Sequence, residues 1–198
     1  MGEGKKKVEI PTVYNCFKWL FSKEASHRFP LSQPWDHTIE LKEDAPDAIP
    51  CKIYPMTPSE DKALEEFIQE QYEKGYIRPS KSPYMSPFFF IKKRDSKLRP
   101  VQDYQCLNSY TIKNQYPLPL ITDLTNSFSG AHIFTKLDIR WGYNNMQIKE
   151  GDEHKVAFKT KYGLWEPTVM FFGLCNSPST FQAMMDWIFR PIIDKWEP

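Results

Sequence analysis

Thr135-Lys136-Leu137-Asp138-Ile139-Arg140-Trp141-Gly142-Tyr143 places one acid at the end of a short apolar run. His132 to Ile139 reads as a strand, so Asp138 is expected to project from a sheet edge. Taken alone, an Asp at a strand end is most often a turn or helix cap, and a lone Tyr143 is most often a core aromatic. Further along stands Phe171-Phe172-Gly173-Leu174-Cys175-Asn176-Ser177-Pro178-Ser179-Thr180-Phe181-Gln182. Ser177 reads as a cap and Pro178 as the first residue of a helix. Phe181, Met184, Met185, Ile188 and Ile192 make its apolar stripe. Gly173 lets backbone approach a ligand closely, and the N–H groups of a helix start can face phosphate or a template strand.

A third run, Ile91-Lys92-Lys93-Arg94-Asp95-Ser96-Lys97-Leu98-Arg99-Pro100-Val101-Gln102-Asp103-Tyr104, reads as a hairpin with a basic tip. Its strands are Ser86 to Lys93 and Arg99 to Tyr104. Lys and Arg on such a tip can reach triphosphate oxygens as charge-assisted donors, although a charge run is usually a solvated turn. Upstream, Thr57 and Glu60 form a capping box for a helix from about Pro58 to Lys74. Its stripe is Leu64, Phe67, Ile68 and Tyr72, and Gly75 stops it. Ile121 to Phe128 is a short helix ending near Gly130. Asn145 to Lys149, Lys155 to Thr160 and Trp165 to Met170 read as further strands. Residues 1–55 are an irregular lead-in wrapped on the rest, with one short helix compatible with Tyr14 to Lys23 and one strand with Thr38 to Leu41. The order of elements gives an α+β fold class.

The chain has 198 residues and a formal net charge of +1, weak for a nucleic-acid binder taken whole. The charge is uneven: Lys92 to Arg99 holds five basic residues and one acid, whereas Thr57 to Gly75 holds six acids and two lysines. A local basic strip binds phosphate even when the global charge does not advertise it. Seventeen prolines are spread along the chain and mark turns and edges. Cys16, Cys51, Cys106 and Cys175 are widely separated, which argues against zinc and for free thiols in a reducing compartment. Lys5, Lys6 and Lys7 precede no apolar run, so no signal peptide is read there, and no apolar stretch is long enough to span a membrane. A cytoplasmic or nuclear location is expected.

Taken together, the three motifs resemble the reverse transcriptases of gypsy-type LTR retrotransposons, over roughly His27 to Trp196. The resemblance implies a right-hand polymerase fold, with residues 1–55 as a linker from an upstream polyprotein region and 56–198 as fingers and partial palm. It implies RNA-directed DNA synthesis, that is, nucleotidyl transfer to a DNA 3′ end on a template–primer with dNTP as substrate. In that family the first-motif Asp, here Asp138, holds two Mg2+ ions, and the next carbonyl, Ile139, helps to hold one. Tyr143 stands at the sugar gate, where it clashes with a 2′-hydroxyl, and Phe181 packs against it. Lys93, or alternatively Lys92, meets the terminal phosphate; Arg99 stacks on the base and holds the α-phosphate; Phe172 floors the pocket. Gly173, Ser177 and Pro178 touch the template, and Arg78 and Lys81 in Gly75 to Pro87 meet its backbone or are simply solvated.

Two departures stand out. Gln105 replaces a customary Arg, which predicts the loss of a buried pair, and Phe171 replaces a customary Pro. The family also carries a Tyr-x-Asp-Asp hairpin, and no adjacent Asp-Asp pair occurs in these 198 residues. Two-metal transfer needs ions about 3.5–4 Å apart held by several carboxylates, so the fold is expected to be truncated before its second carboxylate motif and inactive alone. Ribonuclease H and integrase regions would be covalent neighbours in a full polyprotein. The alternatives are a non-catalytic nucleic-acid- or nucleotide-binding remnant and an inert relic.

Overall fold

The computed structural model describes residues 11–22, 25–92, 97–117, 119–136 and 138–193. Helix α1 (Pro58–Glu73) starts where the capping box places it. The Thr57 N–H donates to Glu60 Oε2 at 2.8 Å and the Glu60 N–H to Thr57 Oγ1 at 3.4 Å. Gly75, at φ +72°, takes the left-handed turn that ends it. The helix lays Leu64 and Ile68 on one face of a sheet, against Phe88, Phe158 and Val169.

That sheet has five strands: β1 (Ile77–Pro79), β2 (Ser86–Lys92), β3 (Leu98–Gln102), β4 (Phe158–Thr160) and β5 (Gly163–Pro167), in the order β1-β5-β4-β2-β3. The expected hairpin is present, with Phe88 opposite Gln102 and Lys92 opposite Leu98. Its partner β4 runs parallel to β2, and β4–β5 is a second hairpin. Short β1 has no counterpart in the sequence reading, because three residues are too few for an alternation to show. Helix α2 (Gln105–Tyr110) is likewise unforeseen; Asp103 Oδ1 accepts the Gln105 N–H ahead of it at 3.0 Å.

The last two helices are α3 (Ile121–Ser127) and α4 (Ser177–Ile193). A second apolar cluster lies beneath α4: Ile39 and Ile49 from the lead-in meet Tyr104, Leu107, Met146, Ile148, Met170 and Met184. His37 is buried here as well, its Nδ1 2.9 Å from Thr180 Oγ1. The later part of the lead-in, from His37 to Ile49, is therefore part of the packed body. It holds on through isolated bridges, His37 with Ile148, Leu41 with Thr111 and Ile49 with Tyr84, rather than through the expected strand.

Several other expected strands are shorter or replaced. The stretch 145–149 contributes only bridges of Gln147 with Val169 and Ile148 with His37. Glu153–Val156 is a 3-10 turn, so β4 begins at Phe158. β5 stops at Pro167, which has no N–H to continue a ladder. The largest correction concerns His132 to Ile139: its described residues are coil, with Ile133 89% exposed. A strand persists only when a neighbour takes its N–H and C=O groups, and among the described residues none pairs with this segment. Among the described residues no helix is long and apolar enough to cross a membrane.

Candidate nucleotide and nucleic-acid interface

Three separated motifs converge on one surface. Arg99 lies on the exposed side of β3, and its guanidinium carbon sits 5.2 Å from the centre of the Phe172 ring. Phe172 packs on Tyr143 with ring centroids 4.6 Å apart. Tyr143 in turn meets Phe181 of α4 edge-on at 5.5 Å. A cation, a half-exposed ring and two partly buried rings thus form one continuous run. Burial pushes the Tyr143 phenol above its ordinary pKa, so it stays neutral at physiological pH and acts as donor, acceptor and wall.

The loop under this run is held by side chains that the sequence reading left unassigned. Asn108 of α2 donates from Nδ2 to the Gly173 carbonyl at 2.8 Å, and its Oδ1 accepts the Cys175 N–H at 2.9 Å. Asn176 donates to the Ile112 carbonyl and accepts the Asn114 N–H. Gly173 sits at φ +105°, and a Cβ there would come within 3.2 Å of both the Gln102 carbonyl and the Tyr104 ring. Only glycine lets the loop approach the end of β3 so closely. Gly142 is similarly constrained, because a Cβ would lie 3.1 Å from the Phe181 ring. Asn108 and Asn176 are marked out by the loop backbone they hold, which one sequence does not reveal.

The first residue of α4 is Ser177 rather than its cap. The Asn176 carbonyl accepts the first helical bond, from the Thr180 N–H at 3.0 Å. Ser177 is fully buried and its hydroxyl donates inward to the Phe171 carbonyl at 3.5 Å, whereas Pro178 is exposed on the first turn. Phe171 itself is buried against Phe67 of α1. Position 105 is exposed, so Gln105 leaves no buried pair broken, contrary to the expectation.

Lys92 is exposed at the end of β2, while Lys93 lies outside the described residues. Arg78, on β1, donates from Nε to Glu166 Oε1 at 2.7 Å and lies 3.5 Å from Glu153. The bond to Glu166 holds its pKa above the ordinary arginine value, and its charge is shared with two carboxylates. Lys81 is exposed in the following loop.

Asp138 is exposed, as is Ile139, just before the turn that leads to Tyr143. Among the described residues no group of three His, Cys, Asp or Glu side chains is placed to hold a metal ion. Asp186 is engaged elsewhere, accepting from the Tyr116 hydroxyl and the Gln182 amide, each at 2.7 Å. One carboxylate and one carbonyl do not fit a two-ion centre, so the Mg2+ pair implied by the resemblance is not accommodated by these residues on their own.

Residues 91–197 match the model of the family described as "Reverse transcriptase (RNA-dependent DNA polymerase)". The Transposon Tf2-3 polyprotein of Schizosaccharomyces pombe is 34% identical over 184 residues, which is 92% of this chain and 14% of the polyprotein. The Tf2-7 polyprotein of the same yeast is 34% identical over 188 residues, again 14% of its length. The chain therefore spans about a seventh of the curated relatives it matches.

Proposed function

The chain belongs to the reverse transcriptase (RNA-dependent DNA polymerase) family, and from that premise we propose that it is the fingers and first part of the palm of a retrotransposon polymerase. Residues 1–55 are the lead-in and 56–198 the fingers and partial palm. The observation that carries the reading is the continuous run Arg99–Phe172–Tyr143–Phe181, drawn from three motifs far apart in sequence. In this reading Arg99 stacks on the incoming base and holds the α-phosphate. Lys93, with Lys92 beside it, meets the terminal phosphate, and Tyr143 stands against the sugar. Gly173, Ser177 and Pro178, with Arg78 and Lys81 farther out, form the template side. Gly173 and Pro178 present surface there, while buried Ser177 acts by fixing the helix start.

Reverse transcriptases use divalent metal ions. Asp138 and the Ile139 carbonyl would supply one share of that centre, and no step of transfer is assigned to this chain alone. Its own part is to bind and orient nucleotide and template–primer. The test is a salt titration of primer–template binding together with a primer-extension assay on the 198-residue chain. Binding is expected to fall log-linearly with salt, with the slope reduced by about one for Lys81→Gln on the template side, and extension is expected to be absent. Extension that disappears in Asp138→Ala would show that the chain completes its own metal centre. Absence of binding at low salt would sink the reading.

A further inference from the structure

Thr12–Phe21 forms a ten-residue 3-10 helix that precedes the packed body in sequence, and its apolar side chains are uncovered. With three residues per turn, side chains three apart stack on one ridge. Val13, Cys16 and Trp19 make one ridge and Tyr14, Phe17 and Leu20 a second, whereas Thr12, Asn15 and Lys18 make a polar third. The exposure of the large apolar side chains runs from 49% at Phe17 to 81% at Val13, and Cys16 is exposed as well. A contiguous apolar face rimmed by polar residues marks an interaction site. The charge of this stretch is also one-sided. From Lys5 to Phe21 the sequence holds four lysines and one acid, Glu9, a net of +3 in a chain whose total is +1. The cationic end therefore coincides with the uncovered apolar face.

We propose that the Thr12–Phe21 helix binds the surface of an anionic lipid bilayer, lying in the plane of the interface with its two apolar ridges toward the acyl chains and its lysines at the headgroups. Charge complementarity points to an anionic partner, and juxtamembrane lysines gain from an anionic leaflet. The side chains point to lipid rather than to a nucleic-acid strand. Base stacking uses aromatic faces and would leave Val13 and Leu20 in water, whereas an interface takes Leu, Phe, Trp and Tyr alike. The width of the face argues in the same direction: a protein groove takes one stripe of a helix, and here two ridges of three are apolar. Ten residues at a rise of about 2 Å reach about 20 Å, short of the roughly 30 Å hydrocarbon core, so the helix lies on the bilayer and does not cross it. Lys7 is five residues from Thr12, at most about 18 Å of chain, so Lys5 to Lys7 can reach the same headgroups. The face shares no residue with the Arg99–Phe172–Tyr143–Phe181 run, and the two readings stand or fall separately.

The test is co-sedimentation of the 198-residue chain with vesicles of phosphatidylcholine alone and with vesicles of about one-third phosphatidylserine. Binding to the anionic vesicles is expected, weakening as salt rises, with much less binding to phosphatidylcholine. Lys5→Gln, Lys6→Gln and Lys7→Gln combined are expected to lose about a hundredfold, and Phe17→Ser with Leu20→Ser about tenfold or more. Phe17 and Leu20 belong to neither apolar cluster, so the second variant is expected to keep its thermal midpoint and its primer–template binding. Absence of vesicle binding, or equal binding to both kinds of vesicle, overturns the proposal. Anionic binding that needs the lysines and ignores Phe17→Ser with Leu20→Ser would belong to a basic tail alone and overturn the role of the helix. Two further results would reassign the face and overturn the proposal: self-association lost in the Phe17 and Leu20 variant without vesicle binding, which assigns it to a second copy, and single-strand DNA binding lost in that variant without vesicle binding, which assigns it to nucleic acid.

Discussion

Arg99 and Asp138 are both expected to face the same nucleotide, yet they are supported very differently. Arg99 rides on β3, laddered to β2 and backed by Phe88 and Phe158, which α1 covers with Leu64 and Ile68. Asp138 follows a coil in which Ile133 and Phe134 are exposed and no ladder forms among the described residues. The side that would grip triphosphate and base is built from packed elements, whereas the residue that would hold metal rests on a segment with few contacts. The two supports are therefore separable, and each can be disturbed without the other.

The contrast breaks most visibly if the packed side is hollowed out. Phe158 is fully buried on the central strand β4, so Phe158→Ala is expected to cost about 3–5 kcal/mol in chemical denaturation. A loss below about 1 kcal/mol would show that the sheet does not carry the fold.

Acid should act on the same body through His37. Burial lowers its pKa to about 4, with Asp152 partly opposing. The unfolded state then takes up a proton near pH 6.5 that the folded state refuses until about pH 4. Stability is thus complete above pH 6.5 and falls through the window down to about 4, by up to about 3 kcal/mol. Denaturation at stepped pH should show this slope in the native chain and a flatter one in His37→Gln. Equal slopes would mean that other groups carry the acid sensitivity.

Gly173→Ala adds a methyl group at φ +105° against β3 backbone. A loss of about 1–3 kcal/mol is expected, with weaker nucleotide binding, because the loop that carries Phe172 must move. Unchanged melting and binding would mean that the loop relaxes freely. The smallest effect belongs to the acid-bearing segment: Ile133→Ser is expected to stay within about 0.5 kcal/mol. A larger loss would reveal that this coil is packed after all.

Much of the packed side could be read from residue types alone. Thr57, Glu60 and Pro58 announced α1, the basic tip announced the β2–β3 hairpin, and Ser177-Pro178 announced α4 to within one residue. These are local signals, set by capping and alternation. Elements that depend on distant partners were harder to read. β1 exists because β5 lies beside it, and Gln147 and Ile148 bridge only where Val169 and His37 happen to arrive. The strand expected before Asp138 rested on a short apolar run and, among the described residues, finds no pairing neighbour. In the site, Arg99, Tyr143 and Phe172 were legible as motif residues, and the structure brings them into one run. Asn108 and Asn176 were not, because their roles lie in which carbonyl they hold.

The most direct measurement is a titration of a deoxynucleoside triphosphate into the 198-residue chain and into Arg99→Ala, side by side. Saturable binding by the native chain, weakened about tenfold or more by loss of the charged donor, is the predicted result. Equal affinity in the two, or no binding to either, would contradict the assignment of a nucleotide site to this surface.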